Sequence, residues 1–186
     1  PSLTTAPSPP PGLSGKSAVL EMASASGLTL VPRENRNPWK LSTEGTGDLC
    51  LAAAAAGADR ITIGIGGSAT SDAGSGFLHS LGGRFYDMNG NETVPVPENF
   101  MSIVKADLSE PLRFAEKVSI TAASDVMNPL LGENGAAMVF AGQKGAKEED
   151  LAKLDVASGH IADVISEAAG NDMRESPGAG AAGGLG

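Results

Sequence analysis

An α/β fold predicts itself from this sequence: a single domain with a central sheet, mixed but largely parallel, flanked by helices. Three observations carry that reading. Strand-like and helix-like segments interleave along the chain rather than segregating. A β-branched strand at residues 60–65 runs through a glycine loop straight into a helical pattern. An Asn89-Gly90 turn signal adds some antiparallel pairing to an otherwise parallel scheme.

The elements follow in order. Residues 1–14 (PSLTTAPSPPPGLS) are uncharged and rich in Pro, Ser and Thr, so a flexible leader that can bury little is expected there. Residues 17–22 (SAVLEM) read as a short strand, and residues 27–31 follow after a run of small residues. Gly45-Thr46-Gly47 precedes an Ala- and Leu-rich helix over residues 48–56, stopped by Gly57. Residues 60–65 (RITIGI) form a buried strand. Residues 72–81 place Phe77, Leu78 and Leu81 at helical spacing and end on Gly82-Gly83. Residues 84–87 make another strand before the Asn-Gly turn, and a polar, Pro-broken stretch comes next. Residues 117–123 (KVSITAA) alternate as a strand does and lead into Ser124-Asp125-Val126-Met127-Asn128-Pro129. After a short apolar run at 137–140 comes a long helix over 147–169. Glu148, Glu149 and Asp150 complement the dipole in its first turn, and Leu151, Leu154, Ile161, Val164 and Ile165 form its core stripe.

Composition narrows the function. With 41% hydrophobic and 19% charged residues over 186 positions, the chain can build one ordinary core. A formal charge of -9 repels phosphate backbones and anionic membrane surfaces, so neither nucleic acid nor a membrane is an expected partner. One cysteine, Cys50, cannot make an intrachain disulfide, and no apolar run reaches bilayer length. A cytoplasmic location is the expectation. The 25 glycines against 4% aromatics direct attention to close backbone approaches.

The sharpest such feature is the run from Gly64 to Gly76, between strand and helix. Glycine amides at Gly66 and Gly67, hydroxyls at Ser68 and Thr70, and a helix start could cradle an anion. The same residues would also serve a tight turn that only caps the helix, and the pattern leaves both open. Gly15-Lys16-Ser17 imitates the end of a P-loop, but Pro10 occupies its first glycine position and no strand precedes it. A second constellation, Asp125, Asn128 and Pro129, follows a strand end, where open α/β sheets collect ligands. Asp125 could hold Mg2+ or accept a hydroxyl proton; an Asx turn before proline is the bland alternative. Lys144 could pair with phosphate or carboxylate, or stand as a solvated surface lysine. Apart from Asp163, three residues beyond His160, His79 and His160 lack partners at metal-ligand spacing.

Five runs then acquire a common meaning: GTGDL at 45–49, residues 63–87, residues 124–140, QKGA at 143–146 and the terminal PGAGAAGGLG. In the same order they resemble the signature blocks of the bacterial glycerate kinase family, over nearly the whole chain from Gly15 to Gly186. Ser71 stands where that family usually has Asn, and Ser124 where it has Cys. The family's N-terminal Asp-Ser-Phe-Lys-Gly and C-terminal Thr-Gly-Glu-Gly blocks have no counterpart here.

The resemblance implies an internal piece of an ATP-dependent kinase that makes a phosphoglycerate, residues 15–186 being its inserted α/β domain. Glycerate, ATP and Mg2+ would be ligands, and the remaining domain of the polypeptide a partner. Asp72 and Asp125 would serve as base or metal partner; Gly66, Gly67, Ser68, Thr70, Asn128 and Lys144 would hold phosphate or substrate. A face bared by missing flanks would also suit a homodimer. The isolated piece is expected to lack kinase activity, and the alternative is a non-catalytic domain binding a small carboxylate or phosphate.

Overall fold

A computed structural model describes residues 15–186, so the Pro-rich leader expected at 1–14 lies outside the described residues. The strands are β1 (Ser17–Glu21), β2 (Arg60–Gly64), β3 (Arg84–Asp87), β4 (Ile103–Asp107) and β5 (Ser119–Ala123). The α-helices are α1 (Ala23–Ser26), α2 (Glu44–Ala55), α3 (Ser75–Ser80), α4 (Ser109–Ala115), α5 (Ala136–Phe140) and α6 (Glu148–Ala169).

The chain is α/β, with a parallel three-stranded sheet in the order β1-β2-β5. Ala18, Ile61 and Ile120 fall in register, as do Leu20, Ile63 and Ala122. Because side chains alternate across a strand, Ala18, Leu20, Ile61, Ile63 and Ile120 all enter one core, with Met22, Cys50, Phe77 and Leu81 beneath them. Helices α2 and α3 supply that layer and approach closely: a Cβ on Gly47 would come within 2.7 Å of the Ser80 Cβ. The opposite face carries Val19, Thr62 and Thr121 in register, and Val19 is 79% exposed.

The antiparallel pairing expected from Asn89-Gly90 is present, but in a separate two-stranded sheet. The turn closes through the Gly90 amide to the Asp87 carbonyl, 3.0 Å, and the main partner of β3 is the more distant β4. This sheet packs on α6, where Phe85, Phe100, Ile103, Ala157, Ile161 and Val164 form a second core. Neither β4 nor α4 was visible in the Pro-broken stretch. Strand β4 buries only Ile103 and Ala106, so it has no period-2 pattern, and its state comes from pairing with β3. Helix α4 carries Pro111 in its first turn, where the missing N–H would have no intrahelical acceptor anyway. Among the described residues, no helix is long and apolar enough to cross a membrane.

Candidate functional site

β2 ends at Gly64, and the chain turns through Ile65-Gly66-Gly67-Ser68 with Gly67 in the left-handed region at φ +70. Glycine is needed there because an L side chain would strain against its own backbone. The loop forms one wall of a cavity of about 260 Å³ beyond the carboxyl ends of β2 and β5; Ser124, Asp125, Val126, Phe140, Gln143, Lys144, Ala181 and Ala182 complete much of the lining. The residues on either side of Ser68 are tied down: the Gly67 carbonyl accepts from the Leu28 amide at 2.8 Å, and the Ala69 amide donates to the Ser26 carbonyl at 2.9 Å. The amides of Gly66, Gly67 and Ser68 donate to no group among the described residues. Three consecutive amides without an acceptor on a cavity wall are an arrangement that can receive an anion.

Lys144 faces the same cavity from the turn Gly142–Lys144, and it is 1% exposed. Its Nζ donates one hydrogen bond, to the Thr70 carbonyl at 2.5 Å, so two of its three N–H groups have no partner among the described residues. Burial pushes the ammonium pKa down to about 8, while the charge of nearby Asp72 pulls it back up. Lys144 is therefore not the solvated surface lysine that its sequence context also allowed.

Asp72 is fully buried and is absent from the cavity lining. Its Oδ2 accepts from the Thr43 amide at 2.7 Å, the Thr43 hydroxyl at 2.8 Å and the Gly76 amide at 3.2 Å, while Oδ1 is buried without a hydrogen-bond partner. Burial raises its pKa, and the Thr43 hydrogen bonds oppose that rise. The reading of Asp72 as base or metal partner thus meets a carboxylate placed behind Lys144, out of direct reach of the cavity. The expected helix start is corrected as well. Helix α3 begins only at Ser75, and its Gly76 amide is taken by Asp72 rather than aimed at the cavity.

Asp125 lines the cavity on an exposed bend after β5, whereas Thr70 is buried off the lining, its carbonyl taken by Lys144. Asn128 stands off the lining, where its side chain donates to the Asn134 carbonyl at 2.8 Å and its carbonyl accepts from Gly180 at 2.9 Å. Of the predicted residues, Gly66, Gly67, Ser68, Asp125 and Lys144 share the cavity; Thr70 and Asp72 support it. His79 meets Glu44 at 2.9 Å and His160 the Ile103 carbonyl at 2.7 Å, both away from the cavity.

The PGAGAAGGLG run packs against the loop after β2, and its Ala181 and Ala182 line the cavity. The Ala73 amide donates to the Gly183 carbonyl at 2.9 Å, and a Cβ on Gly183 would run into the Thr70 carbonyl. Ala73 at φ +50 and Ala182 at φ +55 both occupy left-handed backbone against this contact, a cost of about 1–2 kcal/mol each. Sequence reasoning also missed Thr43, whose only signal was its place just before GTGDL, and the lining residues Leu28, Phe140 and Gln143. Among the described residues, no group of three or more His, Cys, Asp or Glu side chains could hold a metal ion.

Comparison with known proteins agrees with this geometry. Residues 11–186 match the glycerate kinase family. The chain is 48% identical over 172 residues to the glycerate kinase of Bacillus subtilis (strain 168), covering 92% of this chain and 45% of that protein. It is 46% identical over 172 residues to the glycerate 2-kinase of Escherichia coli (strain K12), with the same two shares. A crystal structure of a Salmonella typhimurium LT2 protein described as glycerate kinase 2 superposes with a TM-score of 0.88 at 42% identity, covering 94% of this chain and 48% of that one. The chain thus spans about half the length of the relatives it matches.

Proposed function

The chain belongs to the glycerate kinase family, and from that premise we propose that its cavity is one wall of a phosphoryl-transfer site. There the intact protein would move the γ-phosphoryl group of ATP to a hydroxyl of D-glycerate, giving phosphoglycerate and ADP. One observation carries the reading: the three free amides of Gly66, Gly67 and Ser68 share a cavity with a buried lysine that has N–H groups to spare. Phosphoryl transfer needs positioning and charge stabilisation more than covalent help, and preorganised amides with a desolvated ammonium supply both.

The roles divide by position. The amides and Lys144 would hold phosphoryl oxygens. Asp72 keeps Lys144 cationic from behind, and Thr70 fixes its direction through the carbonyl. Asp125, the one carboxylate on the lining, would take the proton of the attacking hydroxyl or bind the metal. Asn128 would act indirectly by holding the 128–134 loop. One carboxylate does not make a metal cage, but it fits Mg2+ carried largely on nucleotide phosphates, where the ion would neutralise charge on the transferring group. A cytoplasmic location accompanies a donor such as ATP.

The remaining domain of the polypeptide would lie on the sheet face of Val19 and Thr62, since parallel sheets are ordinarily covered on both faces. By itself the 186-residue chain would bind anions without turning over. Product analysis of the intact protein with glycerate, ATP and Mg2+ tests the reading. Phosphoglycerate is the expected product, and its absence under saturating substrates would sink the proposal.

A further inference from the structure

The chain has six arginines. Four stand within ion-pair distance of a carboxylate: Arg60 at 4.0 Å from Asp59, Arg84 at 3.4 Å from Glu92, and Arg113 and Arg174 at 2.6 Å from Glu110 and Asp163. Arg33 and Arg36 have no carboxylate at that distance among the described residues. In a chain of formal charge -9, both line the same hollow, of about 350 Å³, with Leu28, Gly142, Gln143 and Gly145. Arg36 is oriented there by its own segment. Its Nε donates to the Val31 carbonyl and its Nη2 to the Leu28 carbonyl, both at 3.3 Å, which leaves Nη1 uncommitted.

This hollow adjoins the cavity of Lys144. Leu28 and Gln143 line both, and Gln143 precedes Lys144, so a single turn of backbone separates the two. Gly145, at φ +100, keeps them together, because a Cβ there would run into the Arg36 carbonyl and drive the arginine segment off the turn.

The geometry points to a second anion subsite at Arg33 and Arg36, which takes the carboxylate of a ligand whose phosphorylated end rests on the Gly66–Ser68 amides and Lys144. The inference rests on the phosphoryl-site reading above and adds how the acceptor is recognised. A guanidinium fork suits a carboxylate because two parallel N–H groups meet two oxygens, whereas the amide cradle suits the tetrahedral phosphoryl group.

Calorimetric titration of the 186-residue chain with 3-phosphoglycerate and with glycerol 3-phosphate tests it, since the two ligands differ by a carboxylate against a hydroxymethyl group. The unsubstituted chain is expected to prefer phosphoglycerate by about tenfold or more, and Arg33→Gln with Arg36→Gln to erase that preference while glycerol phosphate affinity stays within about twofold. Arg33→Gln alone, on an exposed side chain, guards against a folding defect and should lower the preference in part. Equal binding of both ligands by the unsubstituted chain would overturn the subsite, as would parallel losses in the arginine variants. Pyrophosphate is titrated alongside, and a larger loss for it than for phosphoglycerate in the arginine variants would also overturn the subsite by assigning the hollow to a polyphosphate tail. If both esters bind equally and Lys144→Met abolishes both, the cradle stands and the arginine subsite falls; if neither ester binds, both fall.

Discussion

Replacing Lys144 by Met removes a buried charge while keeping most of the side-chain volume. The lysine pKa falls from 10.5 to about 8 because the ammonium loses its water on burial. Since the folded value lies below the unfolded one, the unfolded chain holds more protons between the two, and stability rises with pH across that window. Below pH 8 both states are protonated and the full penalty applies, about 3 kcal/mol for a shift of this size. Between pH 7 and pH 9.5 the chain should recover about 2 kcal/mol of it. Urea unfolding at a series of pH values measures this directly, with Lys144→Met run beside the unsubstituted chain to cancel the other titrating groups. The difference between the two should narrow by about 2 kcal/mol from pH 7 to pH 9.5, or roughly 4–8 °C in midpoint temperature for a domain of this size. Parallel curves would refute the argument, because they would mean that Lys144 is solvated in the folded state.

Three further outcomes follow from the same geometry. Asp72→Asn keeps an acceptor for Thr43 but removes the charge that supports the Lys144 cation, so Lys144, followed by NMR of labelled lysine, should titrate lower than in the unsubstituted chain; an unchanged titration would uncouple the two. Asp125→Asn in the intact protein should cut turnover by about 10²–10⁴ if that carboxylate takes the proton, while stability, read by urea midpoint, stays within about 0.5 kcal/mol because the residue is exposed. Gly183→Ala should cost about 3 kcal/mol or more in unfolding free energy, since it combines a left-handed φ of +77 with a collision against the Thr70 carbonyl; a near-neutral result would mean that the terminal turn is not fixed on the loop.

Local chemistry made much of the fold legible. Ser17–Glu21, Arg60–Gly64, Ser119–Ala123 and the acid-started helix Glu148–Ala169 carry their own period, cap or breaker signals, and these depend on neighbours within a few residues. The glycine loop was legible for the same reason: Gly66 and Gly67 after a strand permit a left-handed turn that other residues resist, and Gly67 takes it at φ +70. Cys50, on α2, is fully buried, and burial pushes its thiol up to about 11.

Tertiary structure decided the rest. β4 became a strand only by pairing with β3, and that partner could not be read from its own residues. Lys144 looked like any exposed lysine in Gln-Lys-Gly; the packing that brings it to Thr70, 74 residues away, also buries it, and burial changes its chemistry. Asp72 and Asp125 stood as interchangeable candidates for base or metal partner, yet packing closed one behind Thr43 and left the other on the cavity. Sequence alone thus determined which segments could fold and which residue types could meet an anion. Which of them do so, and in what state of charge, depended on burial and on contacts far apart in the chain, because desolvation is set by everything packed around a group and not by its neighbours in sequence.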